Sequence, residues 1–285
     1  MKSKQKPQKT RWHRLLGRLF KELLVPKGVL VYTEVSVMGY PPKADILLLR
    51  KKHARWTKEQ RSCLPDGIRD SRATHILIEF KYTESVNKNA LIQTLCYDYL
   101  YKGGQELREH DVRIFLASSK TPRASTLKKF DWHPTDKPGV YKTRNPLAES
   151  VTLILLNELA DKPHNAWIKC FASRKREKKF AFEILMNKGF SSLSSRLQWF
   201  LEGLLHFLFT MGGEDMDIEI TPDDVMKIGK KWQKAALAGI APKERLAGIT
   251  VKERLAGLEL KDILSEFSAK EIEACLKKLR KKQRK

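Results

Sequence analysis

Two short stretches constrain this chain more than any other part of it. Residues 44–49 are apolar apart from Asp45, and residues 73–82 are apolar through their middle and close on Glu79-Phe80-Lys81. Runs this short and this apolar are the mark of strands covered on both faces. Alternation along the second run places His75, Leu77, Glu79 and Lys81 on one face, with Ile76, Ile78, Phe80 and Tyr82 on the other. A carboxylate and an ammonium then point the same way from the end of a buried strand. That is costly unless the two pair with each other or hold a metal. Both readings are open on the residues alone.

The neighbouring segments predict a mixed sheet around these strands. From Trp12 to Leu24, Leu15, Leu16, Leu19, Phe20 and Leu23 recur at helical spacing, with Arg11, Arg14, Arg18 and Lys21 on the other side. Such a helix either docks on the core or offers its basic face to phosphates or a membrane. A strand follows over 28–38 and a turn over 39–42, before the first apolar run. Residues 50–72 are polar and basic and read as a solvated loop. A helix over 86–101 carries Gln93, Tyr97 and Tyr101 along one side, and a strand follows at 111–117. A short helix at 125–130 and a strand at 139–143 come next. Residues 151–159 fit a strand or a buried helix equally, and 169–179 are strongly basic. The fold class predicted is α/β: a mixed β-sheet flanked by helices, with an α-helical C-terminal extension.

Helices are expected at 192–211 and 223–236. Beyond them runs a nine-residue repeat, ALAGIAPKE, RLAGITVKE, RLAGLELKD, ILSEFSAKE. Nine residues turn a continuous helix by half a circle, so its leucines would change face from unit to unit. Each unit instead carries its own punctuation. Gly239, Gly248 and Gly257 suit helix C-termini, Pro242 suits a first helical position, and Thr250 with Glu253 and Ser268 with Glu271 form capping-box patterns. Short stacked helices of this kind serve as a scaffold or an oligomer contact. The organisation expected is a basic tail over 1–10, the α/β domain over 11–190, a helical region over 191–236, repeats over 237–276 and a basic tail over 277–285.

The 285 residues carry a formal net charge of +23, and 41% of them are hydrophobic. The apolar fraction suits a packed core, and a surface this basic calls for a polyanion, nucleic acid first. Cys63, Cys96, Cys170 and Cys275 are far apart and form no Cys-x-x-Cys pair, which argues against structural zinc and disulfides and suits a reducing cytoplasm. The most apolar window, 193–211, is interrupted by Arg196, Gln198, Glu202 and His206, so no membrane span is expected.

An aspartate on one strand, a later Glu-x-Lys at the end of the next, and a Gln-x-x-x-Tyr pair on the following helix resemble the PD-(D/E)xK nuclease superfamily. The Gln93/Tyr97 pair is similar to its RecB-type branch. The run from EVSV through ADILLL and IEFKYT to FASRKREKKFAFE is similar to Rpn-type, transposase-associated bacterial members. The resemblance covers about residues 10–190, and the proline the family places directly before the aspartate stands three residues earlier, at Pro42. It implies a restriction-endonuclease-like core and Mg2+-dependent hydrolysis of DNA, with Mn2+ as a substitute, in a setting such as recombination or transposition. Asp45 and Glu79 would be metal ligands, joined by the Phe80 carbonyl and with Glu34 as an accessory acid. Lys81 would be catalytic, and Gln93 and Tyr97 would position the lysine or the phosphate. The competing class is a nucleic-acid-binding or regulatory protein that kept the fold without the chemistry.

Overall fold

The structure is a computed structural model that describes residues 11–36, 43–50, 55–187, 189–212, 219–240, 250, 255 and 259–282. Its chain divides into two compact units, Met1–Gln233 and Lys234–Lys285. In the first unit, seven described strands form one mixed sheet. They are β1 (Val29–Ser36), β2 (Lys43–Arg50), β3 (His75–Lys81), β4 (Val112–Ser118), β5 (Trp132–Pro134), β6 (Val140–Thr143) and β7 (Val151–Leu155), in the order β1-β2-β3-β4-β7-β6-β5. β1, β2 and β3 form an antiparallel meander, β3, β4 and β7 run parallel, and β6 and β5 return antiparallel. The parallel centre explains why these strands are nearly unbroken apolar runs: both of their faces are covered.

Two helical layers cover the sheet. α1 (Trp12–Leu24) packs Leu15, Leu16, Leu19, Phe20, Leu23 and Leu24 against Ile46, Leu48, Ile76 and Ile78. α2 (Lys58–Ser62) follows β2. On the opposite face α3 (Lys88–Gly104) supplies the crossover that parallel pairing of β3 with β4 requires. It buries Leu91, Tyr97 and Tyr101 over Leu47, Leu77, Ile114 and Leu116. α4 (Ala124–Lys129) precedes β5. α5 (Pro163–Lys169), α6 (Lys175–Asn187) and α7 (Ser195–Phe209) thicken the α1 side, and α8 (Pro222–Ala238) packs on α7.

Several sequence ambiguities resolve here on physical grounds. The basic side of α1 is held by carboxylates: Arg14 binds Glu34, Arg18 binds Glu22 at 2.8 Å, and Arg11 reaches Glu219 at 3.3 Å. The helix is therefore docked. Residues 151–159 are a strand over Val151–Leu155 and then a buried 3-10 turn, Leu156–Glu158; burial on every side had erased their periodicity. In the charged stretch 50–72, the described residues 55–72 are not a solvated loop. Thr57 and Gln60 cap α2 reciprocally, and Trp56, Leu64, Asp66 and Ile68 are buried. In the basic segment 169–179, Lys169 is buried, donating to the Leu159 carbonyl and binding Asp161 and Glu177. Lys178 is buried as well, its ammonium on the Tyr82 hydroxyl at 3.2 Å. Both lysines are structural, and their charge was no guide to solvent.

In the second unit, Gly239 follows the end of α8, α9 (Leu260–Ser265) precedes α10 (Ala269–Lys282), and Ser268 with Glu271 makes the expected capping box. Residues 1–10, the 39–42 turn with Pro42, and Pro242, Gly248, Glu253 and Gly257 lie outside the described residues. Among the described residues no helix is long and apolar enough to cross a membrane.

α7 and α8 cross at glycines. A methyl group on Gly203 would collide with the Val225 carbonyl, and one on Gly229 with the Trp199 carbonyl, so the two backbones touch where any side chain would part them. Gly203→Ala is predicted to cost about 1–3 kcal/mol in a thermal or urea melt, as overpacking does. Gly103→Ala, whose added carbon meets nothing within 4 Å, is predicted to leave stability unchanged or raise it by up to about 1 kcal/mol. Equal effects of the two changes would contradict this packing.

Candidate active site

The β2–β3 ladder runs from Leu49↔His75 to Ile46↔Ile78 and stops there. The next residues on the two strands, Asp45 and Glu79, face the α3 side, following the alternation set by Leu47 and Leu77. With the ladder ended, the Phe80 N–H has no strand partner and donates instead to the Asp45 carboxylate, Oδ2, at 2.8 Å. In a strand a residue's C=O points the same way as its N–H, so the Phe80 carbonyl also opens toward Asp45.

Glu79 is only 2% exposed. Its Oε1 accepts from the Lys81 ammonium at 2.7 Å, whereas its Oε2 is buried and has no donor. Asp45 lies beside Glu79, and the two acids act on each other's titration. Lys81 reaches beyond its own strand and donates to Gln93 Oε1 at 2.9 Å, and Gln93 Nε2 donates to the Tyr97 hydroxyl at 2.7 Å. This chain holds because α3 starts in a fixed phase. Asn87 caps it by accepting from Ala90 N at 2.9 Å, which sets Gln93 and Tyr97 one turn apart over the end of β3. Further along the same row, the Tyr101 hydroxyl meets His75 Nδ1 at 2.9 Å. His75 is a polar contact at the other end of the strand.

Electrostatics separate the acids. Burial, then the Asp45 charge, push Glu79 up to about 7 against the pull of Lys81. Burial also raises Asp45, although the Phe80 N–H and Lys81 oppose it. Burial would lower Lys81, but Glu79 and Asp45 outweigh it and hold the ammonium above its ordinary value. Two carboxylates therefore share one ammonium, and one negative charge is left over.

Glu34, on β1, stands across from Asp45, at a gap in the ladder between Thr33↔Ile46 and Val35↔Ala44. Its φ is +54°, a left-handed backbone that is strained for a glutamate. Its carboxylate accepts from Arg14 Nε at 3.1 Å and lies 3.5 Å from His13 Nε2. Burial would raise its pKa, but Arg14 and His13 outweigh burial and lower it. As placed, Glu34 is satisfied by Arg14 and His13, unlike the pair beside it.

His13 was not legible as a site residue in the sequence. Its Nδ1 is 3.8 Å from Asp45 Oδ1 while its Nε2 faces Glu34, so it stands between the two acids on α1. Burial lowers its pKa, which favours the neutral ring. The only available signal was its phase, off the apolar stripe of α1.

Among the described residues, no group of three or more His, Cys, Asp or Glu side chains is arranged to hold a metal ion. Asp45 and Glu79 contribute two carboxylates. That number suits magnesium, which takes one or two carboxylates and fills its shell with main-chain oxygen and water. The orphaned Glu79 oxygen and the surplus negative charge fit such a cation.

The folded protein holds the Glu79 proton more tightly than the unfolded chain does. Stability of the metal-free protein should therefore fall as pH rises from about 4.5 to about 7. Glu79→Gln mimics the protonated acid and removes this loss. At pH 8 without divalent ions it is predicted to be more stable than wild type by about 1–3 kcal/mol in urea unfolding. A less stable variant would contradict the strained carboxylate pair. No known protein family, curated protein or solved structure matches this chain.

Proposed function

We propose that the protein is a divalent-cation-dependent nuclease of the PD-(D/E)xK kind that hydrolyses phosphodiester bonds in DNA. The observation that carries this reading is the convergence of Asp45, Glu79, Lys81, Gln93 and Tyr97 where β2 and β3 part. The order α1, three antiparallel strands, α3 and a parallel β4 supports a restriction-endonuclease-like core. The +23 charge supports a polyanionic substrate.

Asp45, Glu79 and the Phe80 carbonyl would hold the cation, magnesium or manganese, which supplies positive charge for the phosphate oxygens and acidifies the attacking water. Within the protein, Lys81 is the only described cation bound to the pair. Two of its three protons are directed to Glu79 and Gln93, which leaves the ammonium set to orient water or neutralise charge building on phosphorus-bound oxygen. Gln93 anchors that lysine, and Tyr97 anchors Gln93 in turn. His13 stands beside Asp45 as a neutral base or proton carrier. Glu34 holds Arg14 and His13 in place.

The test is cleavage of plasmid and single-stranded DNA with Mg2+ and then Mn2+. Lys81→Ala and Asp45→Asn are each predicted to slow cleavage by about a hundredfold or more, the scale for removing one group that stabilises a transition state. Gln93→Ala is predicted to lose about tenfold, with DNA affinity unchanged. Equal cleavage by wild type and Lys81→Ala would place the activity elsewhere. Tight, salt-dependent binding without cleavage under either metal would favour the non-catalytic, nucleic-acid-binding alternative.

A further inference from the structure

A second candidate site, this one cationic, lies at the far end of β2. Arg50 closes that strand about 17 Å from Asp45 at the usual rise per residue. It shares the alternation of Ile46 and Leu48, so it belongs to the α1 face, whereas Asp45 belongs to the α3 face. The two sites are separate.

The Arg50 side chain is 9% exposed. Its guanidinium lies over the Trp56 ring, 5.4 Å from the ring centre, and Nη2 donates to the Arg72 carbonyl at 2.7 Å. Its Nε and Nη1 are buried without an acceptor, and so are Trp56 Nε1 and Arg69 Nε. Every orphaned atom here is a donor. Beside them opens a pocket of about 250 Å3 lined by Arg55, Trp56, Arg61, Arg69, Asp70 and Arg72. Only Arg61 finds a carboxylate, Asp70 at 3.6 Å; among the described residues Arg55, Arg69 and Arg72 have none. Asp70, Ser71 and Arg72 also line a neighbouring, larger pocket of about 730 Å3, to which Arg113, Lys137 and Lys142 contribute.

Guanidinium groups repel one another, and unpaired buried donors cost free energy, so this arrangement is short of an acceptor-rich anion. A neutral ligand would leave the charge unbalanced, and a carboxylate would offer two oxygens to several forks. A phosphate offers three or four oxygens and accepts from arginine forks in pairs. We propose that this pocket is a phosphate-binding site, distinct from the carboxylate pair, with Arg69 and Arg72 gripping the oxyanion and Trp56, backed by the Arg50 guanidinium, forming its wall. The phosphate belongs either to a small phosphorylated compound, whose remainder the larger pocket can hold, or to a nucleic-acid backbone.

Titration calorimetry of the full chain with inorganic phosphate tests the site, and fluorescence anisotropy with a labelled oligonucleotide separates the two sources. Phosphate is expected to bind wild type saturably and Arg69→Gln/Arg72→Gln at least about tenfold more weakly, since each lost pair is charge-assisted. Lys81→Ala is expected to bind phosphate as wild type does. If the double variant also lowers the slope of log affinity against log salt for the oligonucleotide by about 1.8, the phosphate is that of a backbone. An unchanged oligonucleotide slope with lost phosphate binding assigns the site to a small phosphorylated compound. The proposal is overturned if wild type binds neither probe, or if the double variant binds both as tightly as wild type. Circular dichroism checks that the double variant is folded; if it is not, the exposed Arg55→Gln takes its place with the same expected loss.

Discussion

The structure turns on a pair of carboxylates, one buried and one half-buried, that share a single ammonium. Asp45 and Glu79 sit side by side where two strands stop pairing, and Lys81 neutralises only one of them. A core does not keep such a pair for stability, because the remaining charge must be removed by a proton or matched by a cation. The raised affinity of Glu79 for a proton is the cost of the arrangement in the absence of a cation. The surrounding elements hold the two acids together against that cost.

Each of those elements does so for a traceable reason. The apolar runs of β2 and β3 are buried on both faces, which fixes their register and brings Asp45 opposite Glu79. The Asn87 cap fixes the phase of α3, so that Gln93 reaches Lys81 and Tyr97 reaches Gln93. The apolar stripe of α1 docks that helix so that His13 arrives at Asp45 and Arg14 at Glu34. Glu34 keeps a left-handed backbone across from Asp45, a strain held in place by Arg14 and His13.

Much of this could be read from the residues, and the unread parts share a cause. β2, β3 and α3 were legible because burial on both faces and a four-residue spacing leave strong local patterns, and the polar residues that break those patterns make up the candidate site. His13 was hidden because its partners lie 21 and 32 positions away, and no local period reports such a contact. α5 and α6 were masked by charge, since Lys169 and Lys178 are buried on carbonyl, carboxylate and hydroxyl partners that composition cannot reveal. The same error hid the arginine pocket: a basic stretch reads as solvated until Arg50 and Trp56 are found inside. At Arg50, Lys169 and Lys178, positive charge is a poor guide to exposure.

The measurement that bears most directly on the carboxylate pair is the binding of Mn2+ to the metal-free protein at pH 8, followed by loss of the free-ion magnetic resonance signal. Wild type should take up one ion at a saturable site. Asp45→Asn/Glu79→Gln should lose that site, and Glu34→Gln, whose carboxylate is already satisfied, should keep it. Equal uptake by wild type and the Asp45→Asn/Glu79→Gln variant, or no saturable uptake by wild type, would contradict the claim that this pair is built to hold a divalent cation.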